Sequence, residues 1–207
     1  WEFDANDAVV DLNPFLVENP PVEGADVVLQ PLASGPGVAA RTFEQSLLTA
    51  LYSATREVAM CTPSFVPEDS MLSAMIAAAR RGVEVRLTLP RRSDSMLVAA
   101  AARGCFEELL EAGVRIFEYR PCLLHSKIVV VDGALASIGS SNLDMRSFQI
   151  NYEVMLMVYD SEVCEAMLRL LRTYEGDARE LTAELWRGRP FLHRMGHNLA
   201  NLAGHVL

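Results

Sequence analysis

Short apolar stretches alternate with longer segments of helical periodicity over the first half of the chain. The apolar stretches have the length of buried strands, whereas the longer segments place their apolar residues on one side of a helix. Repeated alternation of strand and helix is typical of an α/β fold. The predicted elements are a strand at 27–32, a helix at 42–56, a strand at 58–61, a helix after Pro67, a strand at 83–89, a helix at 93–112 and a strand at 114–119.

The pattern changes after Pro121. Two apolar strands, at 123–131 and 135–138, flank Asp132-Gly133, a dipeptide that favours a two-residue hairpin turn. One further strand is predicted at 152–159, and the remainder from Ser161 is predicted to be helical. Because an antiparallel hairpin joins parallel strand-helix units, we expect a mixed β-sheet with helices on both faces.

The chain divides into three predicted segments. Residues 1–24 contain several prolines without a sustained period, which is typical of a linker or lead-in segment. Residues 25–189 have the length and apolar content of one domain with a single core. Residues 190–207 predict an amphipathic C-terminal helix whose apolar stripe would either lie on a membrane or pack back onto the domain.

Composition narrows the classes of function. The chain has 27 acidic and 18 basic residues and a net charge of -9, which argues against a non-specific nucleic-acid binder. Its four cysteines form no CxxC pair, so neither a zinc ribbon nor a disulfide framework is predicted, and a reduced, cytosol-facing environment fits best. The apolar runs are shorter than the roughly 20 residues of a membrane span. We predict no bound metal.

Polar side chains interrupt the apolar hairpin at positions suited to phosphate chemistry. His125 and Lys127 share one face of an extended segment, and Ser140 and Asn142 follow the returning strand toward the same end. Metal-free cleavage of a phosphodiester needs a nucleophile, a proton donor and fixed donors around the phosphate oxygens. Glu153, on the next strand, is the nearest carboxylate that would orient the imidazole.

These residues resemble a known signature. His125, Lys127 and Asp132 form an HxKxxxxD motif, and Gly139-Ser140-Ser141-Asn142 follows after six residues, as in the phospholipase D superfamily. The likeness extends from about residue 27 to residue 190, which implies a phospholipase D-like fold. Segments 62–67, 94–98, 106–110 and 142–147 resemble bacterial cardiolipin synthases.

The resemblance implies a role for each motif residue. His125 would be the nucleophile or the general acid, with Glu153 as its partner, and Lys127, Ser140 and Asn142 would bind the phosphate with it. Asp132 completes the catalytic motif, although in this superfamily it is usually structural, and the hairpin turn already accounts for it. No cofactor is implied.

The resemblance also implies partners. Two histidines are needed, so a second HxKxxxxD half would come from the same full-length chain, which the lead-in and the absent Met favour, or from homodimerisation. The implied reaction converts two phosphatidylglycerol molecules to cardiolipin and glycerol through a phosphohistidine, at the cytoplasmic side of a bacterial membrane and without nucleic acid. The alternatives are a homodimeric one-motif phosphodiesterase or nuclease and a non-catalytic lipid-binding or scaffold domain.

Overall fold

The structure is a computed structural model that describes residues 27–36, 41–92 and 96–188. The lead-in segment predicted at 1–24 and the amphipathic helix predicted at 190–207 lie outside the described residues. The strands are β1 Leu29–Ser34, β2 Glu57–Cys61, β3 Phe65–Val66, β4 Glu84–Pro90, β5 Arg115–Tyr119, β6 Ile128–Val131, β7 Leu135–Gly139, β8 Leu143–Asp144, β9 Glu153–Val158 and β10 Ala178–Leu181. The helices are α1 Thr42–Ser53, α2 Asp69–Arg80, α3 Met96–Gly104, α4 Phe106–Ala112, α5 Met145–Gln149, α6 Ser161–Gly176 and α7 Ala183–Arg187.

One large sheet organises the domain. Within the described ranges it has eight strands in the order β1-β9-β7-β6-β2-β4-β5-β10, and β3 and β8 form a separate two-stranded pair. The central strands β2, β4 and β5 are parallel, whereas all other neighbours in the large sheet are antiparallel. The predicted mixed sheet is therefore confirmed.

Helices cover both faces of this sheet, as predicted. On one face, α1, α2 and α4 bury residues such as Leu51, Met75 and Leu109 against the sheet. On the other face, α6 buries Leu168 and Leu171. Among the described residues, no helix combines the length and apolar character that a membrane span requires.

The hairpin turn has the predicted geometry. Asp132 and Gly133 both adopt positive φ angles, 54° and 62°. The backbone N–H of Ala134 donates to the carbonyl of Val131 at 3.0 Å and closes the turn. This left-handed pair is the conformation that Asp-Gly tolerates and that matches the twist of the flanking strands.

Three predicted elements differ from the structure. The strand predicted at 123–131 enters the sheet only at Ile128, because the residues before it form an extended segment without a ladder partner. The helix predicted at 93–112 is two helices that meet at Cys105, directly after Gly104, a poor helix former. This break lets Phe106 pack against Trp186, with ring centroids 5.0 Å apart.

The remainder from Ser161 is not wholly helical, since β10 follows α6 and pairs with β5 at the edge of the sheet. This edge strand carries Arg179 and Glu180 side by side. Arg115 of β5 donates to Glu180 of β10 at 2.7 Å, and this ion pair supports the pairing of the two strands. The sequence periodicity of this segment does not distinguish an edge strand from an exposed helix.

A buried arginine ties the sheet to α6. Arg86 of β4 is only 4% exposed, and its guanidinium lies 2.9 Å from Glu57, 3.1 Å from Glu84 and 3.1 Å from Glu175. Since an unpaired buried charge is costly, this network fixes how α6 crosses the strands.

Candidate active site

The HxK residues lie in the extended segment that leads into β6. The side chain of Ser126 points toward α6, where its hydroxyl is 3.2 Å from that of Tyr174. Successive side chains of an extended segment alternate, so His125 and Lys127 point to the opposite side. The Lys127 ammonium donates to the backbone carbonyl of His125 at 3.0 Å, which holds the segment in shape. The His125 side chain is exposed.

Lys127 is partly buried, and negatively charged carboxylates influence it. Burial lowers its pKa from the ordinary lysine value, and the charges of Glu153 and Asp144 oppose that shift. The thiol of Cys61 is close enough to feel the lysine, although burial dominates and raises the pKa of this thiol to about 12. A half-desolvated cation of this kind attracts a phosphate more strongly than one in water.

Glu153 begins β9 and is only 7% exposed. The side-chain amide of Asn151 donates to Glu153 Oε1 at 3.2 Å. Within the described part of the chain, no hydrogen bond joins Glu153 to the His125 imidazole, so its predicted partnership with the histidine stays a prediction. The charge of Glu153 raises the pKa of Lys127 and so partly offsets the effect of burial on this lysine.

The strand β7 delivers the Gly-Ser-Ser-Asn segment to the same end. A side chain at Gly139 would come within 2.7 Å of the Met155 sulfur and would also meet the Val154 carbonyl. Only glycine permits this close approach of β7 to β9. Next along the chain, the Ser140 hydroxyl accepts from the Val154 N–H at 2.9 Å, so it bridges the two strands.

Asn142 lies at the base of the site. Its backbone N–H donates to the Ser147 hydroxyl at 3.2 Å, and the Ser147 N–H is itself bound at 2.9 Å by Asp144, the N-cap of α5. Its side-chain oxygen is buried and has no hydrogen-bond partner among the described residues. A buried amide oxygen that the protein leaves unsatisfied can accept a hydrogen bond from a ligand, and its amide nitrogen can donate one to a ligand oxygen.

Asp132, also among the catalytic candidates, lies apart from this cluster, and its predicted part in catalysis stays a prediction. It follows the far end of β6, five residues after Lys127, or roughly 16 Å along an extended chain. Its carboxylate accepts from the N–H groups of Thr55, Arg56 and Glu57 at 2.8 to 2.9 Å. Burial opposes its ionisation, but these hydrogen bonds lower its pKa.

Supporting residues were missed from the sequence. Thr62 accepts the N–H of Leu143 at 3.3 Å and so links the end of β2 to the Asn142 loop. Asn151 holds Glu153, as described above. The capping pattern from Asp144 to Ser147 was the one sequence signal available for this support.

The fold thus gathers an exposed imidazole, an ammonium, a buried carboxylate and an unsatisfied amide at one end of the sheet. This end contains the carboxyl ends of the parallel strands β2 and β4, where open α/β sheets bind ligands. The set contains a nucleophile or acid, a cation and a hydrogen-bonding group, and is suited to phosphoryl or phosphatidyl transfer.

Comparison with known proteins agrees with this chemistry. A family model described as "Cardiolipin synthase, PLD-like domain" matches residues 47–174, more than half of the chain. The chain belongs to this family. The predicted membership of the phospholipase D superfamily, and within it the likeness to cardiolipin synthases, is confirmed.

Relatives of this phospholipase D-like domain are longer. Cardiolipin synthase A of Yersinia pseudotuberculosis is 40% identical over 199 residues, which cover 96% of this chain and 41% of that protein. The chain therefore spans about two fifths of the length of this curated relative.

Solved structures share the phospholipase D-like fold. Nuc from Salmonella typhimurium, a phospholipase D family member, superposes with a TM-score of 0.65 at 21% identity, covering 76% of this chain and 99% of that one. Phosphatidylserine synthase from Haemophilus influenzae gives a TM-score of 0.67 at 13% identity and covers 87% and 48% of the two chains. The predicted fold is confirmed.

Proposed function

We propose that this chain is one catalytic half of a cardiolipin-synthesising phosphatidyltransferase. The observation that carries the proposal is the convergence of His125, Lys127, Glu153 and Asn142 at one end of the sheet of a cardiolipin synthase-type domain. Its substrate would be phosphatidylglycerol, and its products cardiolipin and glycerol.

The proposed reaction has two successive transfer steps. An imidazole nitrogen attacks the phosphorus of the first phosphatidylglycerol, the bond from phosphorus to the glycerol oxygen breaks, and an acid protonates the departing glycerol. The hydroxyl oxygen of a second phosphatidylglycerol then attacks the phosphohistidine, the nitrogen-phosphorus bond breaks, and the hydroxyl proton returns to the group that donated first. His125 fills one of these two roles.

The other residues act around the phosphate. Lys127 and Asn142 bind its non-bridging oxygens, and Ser140 completes this set at the end of β7. Glu153 stabilises the positive charge of the imidazolium and of Lys127. Every group named here belongs to the protein, and each step transfers a proton or the phosphatidyl group without a cofactor.

A second HxKxxxxD half completes the site, because one histidine cannot serve as nucleophile and acid in the same step. The greater length of the relative described above supports a second half in one full-length chain, and a homodimer would supply it equally. The exposed position of the His125 side chain supports a site that is shared with such a half.

We also place the enzyme at the cytoplasmic side of a bacterial membrane. Ile150, Tyr152 and Val154 flank the buried Glu153 and are 55%, 72% and 59% exposed. Large apolar side chains exposed next to a polar site are suited to contact with the lipid that carries the substrate phosphate.

The test uses the complete enzyme, meaning this chain together with the half that completes it, and vesicles of phosphatidylglycerol. Formation of cardiolipin and glycerol is measured for the unaltered enzyme and for His125→Gln, with Asp132→Asn as the control outside the site. We expect His125→Gln to lower the rate by about 10³-fold or more.

Peptide mapping of a trapped phosphatidyl label at alkaline pH, where the nitrogen-phosphorus bond of phosphohistidine survives, then assigns the role of the histidine. Label on His125 identifies it as the nucleophile, and label on the histidine of the other half identifies it as the acid. DNA hydrolysis without lipid transfer would instead support the nuclease alternative and overturn the proposal.

A further inference from the structure

An arginine-lined cavity lies beside the proposed active site. It has a volume of about 420 Å³ and opens where β4 and β5 end, at the start of the segment that leads to His125. Its polar wall consists of three exposed arginines, and its remaining wall is mostly apolar. The lining residues are Arg91, Arg92, Tyr119, Arg120, Pro121, Cys122 and Leu123.

The charge of this cavity is not balanced by nearby carboxylates in the described part of the chain. No ion pair there involves Arg91, Arg92 or Arg120, whereas Arg86 and Arg115 are each held by glutamates. Three guanidinium groups around one cavity repel one another, and a bound anion would relieve that repulsion. The planar guanidinium also matches the oxygens of a phosphate.

The cavity is preformed. The N–H of Arg91 donates to the carbonyl of Tyr119 at 2.9 Å, which joins the ends of the two strands. The ring of Tyr119 is fixed edge-on against Tyr174, with centroids 5.5 Å apart. A rigid wall reduces the entropy lost when a ligand binds.

The cavity and the proposed active site are adjacent along the chain. Leu123 lines it and precedes His125 by two residues, so the two Cα atoms are at most about 7 Å apart. In cardiolipin, one glycerol joins the two phosphates by six bonds of about 1.5 Å, which gives a similar span. Leu123 is 64% exposed and offers an apolar rim for the lipid body.

We propose that this cavity binds the phosphate of the acceptor phosphatidylglycerol while its free hydroxyl attacks the phosphohistidine. The inference rests on the proposed function and adds what selects the acceptor. The phosphate of the acceptor does not react in this transfer, because the arginines only bind it as an anion. They therefore act on the choice of acceptor and not on the cleavage of the donor.

The test is a competition in the complete enzyme between two acceptors for one acyl-labelled phosphatidylglycerol donor. Phosphatidylglycerol carries a phosphate next to its glycerol, whereas monoacylglycerol offers a similar primary hydroxyl without a phosphate. Both products arise from the same phosphohistidine, so their ratio depends only on the acceptor step. The variants are Arg92→Gln with Arg120→Gln, and Arg169→Gln serves as an exposed control on α6 whose only described partner is Glu165.

We expect the double variant to lower the ratio of cardiolipin to the phosphate-free product by about tenfold or more, as loss of charged hydrogen bonds would. The control variant Arg169→Gln should change this ratio by less than about twofold. An unchanged ratio, or an equal fall in both products, would overturn the role of the cavity. If the double variant does not fold, the two single variants carry the same test.

Failure of the proposed function has a different signature. In that case the unaltered enzyme would consume no donor with either acceptor, whatever residues line the cavity.

Discussion

Substitution of Asp132 distinguishes most clearly between a structural and a catalytic role for a residue of the HxKxxxxD motif. Its carboxylate accepts four hydrogen bonds, from the N–H groups of Thr55, Arg56 and Glu57 and from the Thr55 hydroxyl, at 2.8 to 2.9 Å. It also adopts a positive φ of 54°. Replacing it therefore changes both the links between the hairpin and β2 and the local backbone preference.

The expected loss for Asp132→Ala is about 3 kcal/mol. A hydrogen bond to a charged group contributes about 1.5–3 kcal/mol. Because donors near the solvent bind water once the carboxylate is removed, each of these four hydrogen bonds is assigned a small fraction of that value. Alanine at a left-handed position costs about 1 kcal/mol more. Asp132→Asn keeps one acceptor oxygen and tolerates this φ, so we expect a loss of about 1–2 kcal/mol.

Thermal unfolding measures these losses. For a chain of this length, about 3 kcal/mol corresponds to a fall in Tm of roughly 9 °C. The folded state lowers the pKa of Asp132, so its stabilisation is present above the unfolded value near 3.9 and is lost as pH falls through the lower folded pKa. The difference between the unaltered chain and Asp132→Asn should therefore persist from neutral pH to about pH 4 and shrink below it.

The kinetic result decides the interpretation. We expect kcat of the complete enzyme with Asp132→Asn to stay within about threefold of the unaltered value at temperatures where the variant is folded. A fall of about 100-fold with an unchanged Tm would show that the carboxylate acts in the reaction, and the structural assignment would be refuted.

Three further results are expected. Because burial lowers the pKa of Lys127, the fall of kcat/KM on the alkaline side of its pH profile should have its midpoint below pH 10.5. Lys127→Arg should move this midpoint to higher pH. An unchanged midpoint would exclude Lys127 as the titrating group. Gly139→Ala should lower the free energy of unfolding by about 1–3 kcal/mol and also lower activity, because the added methyl group pushes β7 away from β9. Gly176→Ala should have neither effect, because the space around Gly176 is open. Equal unfolding curves for the two variants would contradict the packing argument. Arg86→Met should cost about 3–5 kcal/mol by leaving the half-buried carboxylates of Glu57 and Glu175 without their partner. Since burial already raises the pKa of Glu175, this cost should be smaller at pH 5 than at pH 8, and a pH-independent cost would point to lost packing instead.

Local patterns predicted those elements whose signal is contained in neighbouring residues. The Asp132-Gly133 turn was predicted correctly because only a few residue pairs tolerate two consecutive positive φ angles. The end of α2 also has a local cause, since Gly82 adopts a φ of 91° directly after the cap residue Arg81. The split at Cys105 and the edge strand β10 were missed, because both depend on what those segments pack against.

The sequence by itself determined the α/β class, the hairpin and the residue types of the site, because periodicity, turn chemistry and motif spacing are local properties. Only the tertiary structure decided which of these residues meet. It brought Glu153 beside Lys127 through Gly139, separated Asp132 from them by the length of β6, and joined Arg91 and Arg92 to Arg120 across two strand ends. The physical reason is that strand order and register, which determine these distances, arise from burial of both sheet faces at once and not from any one segment.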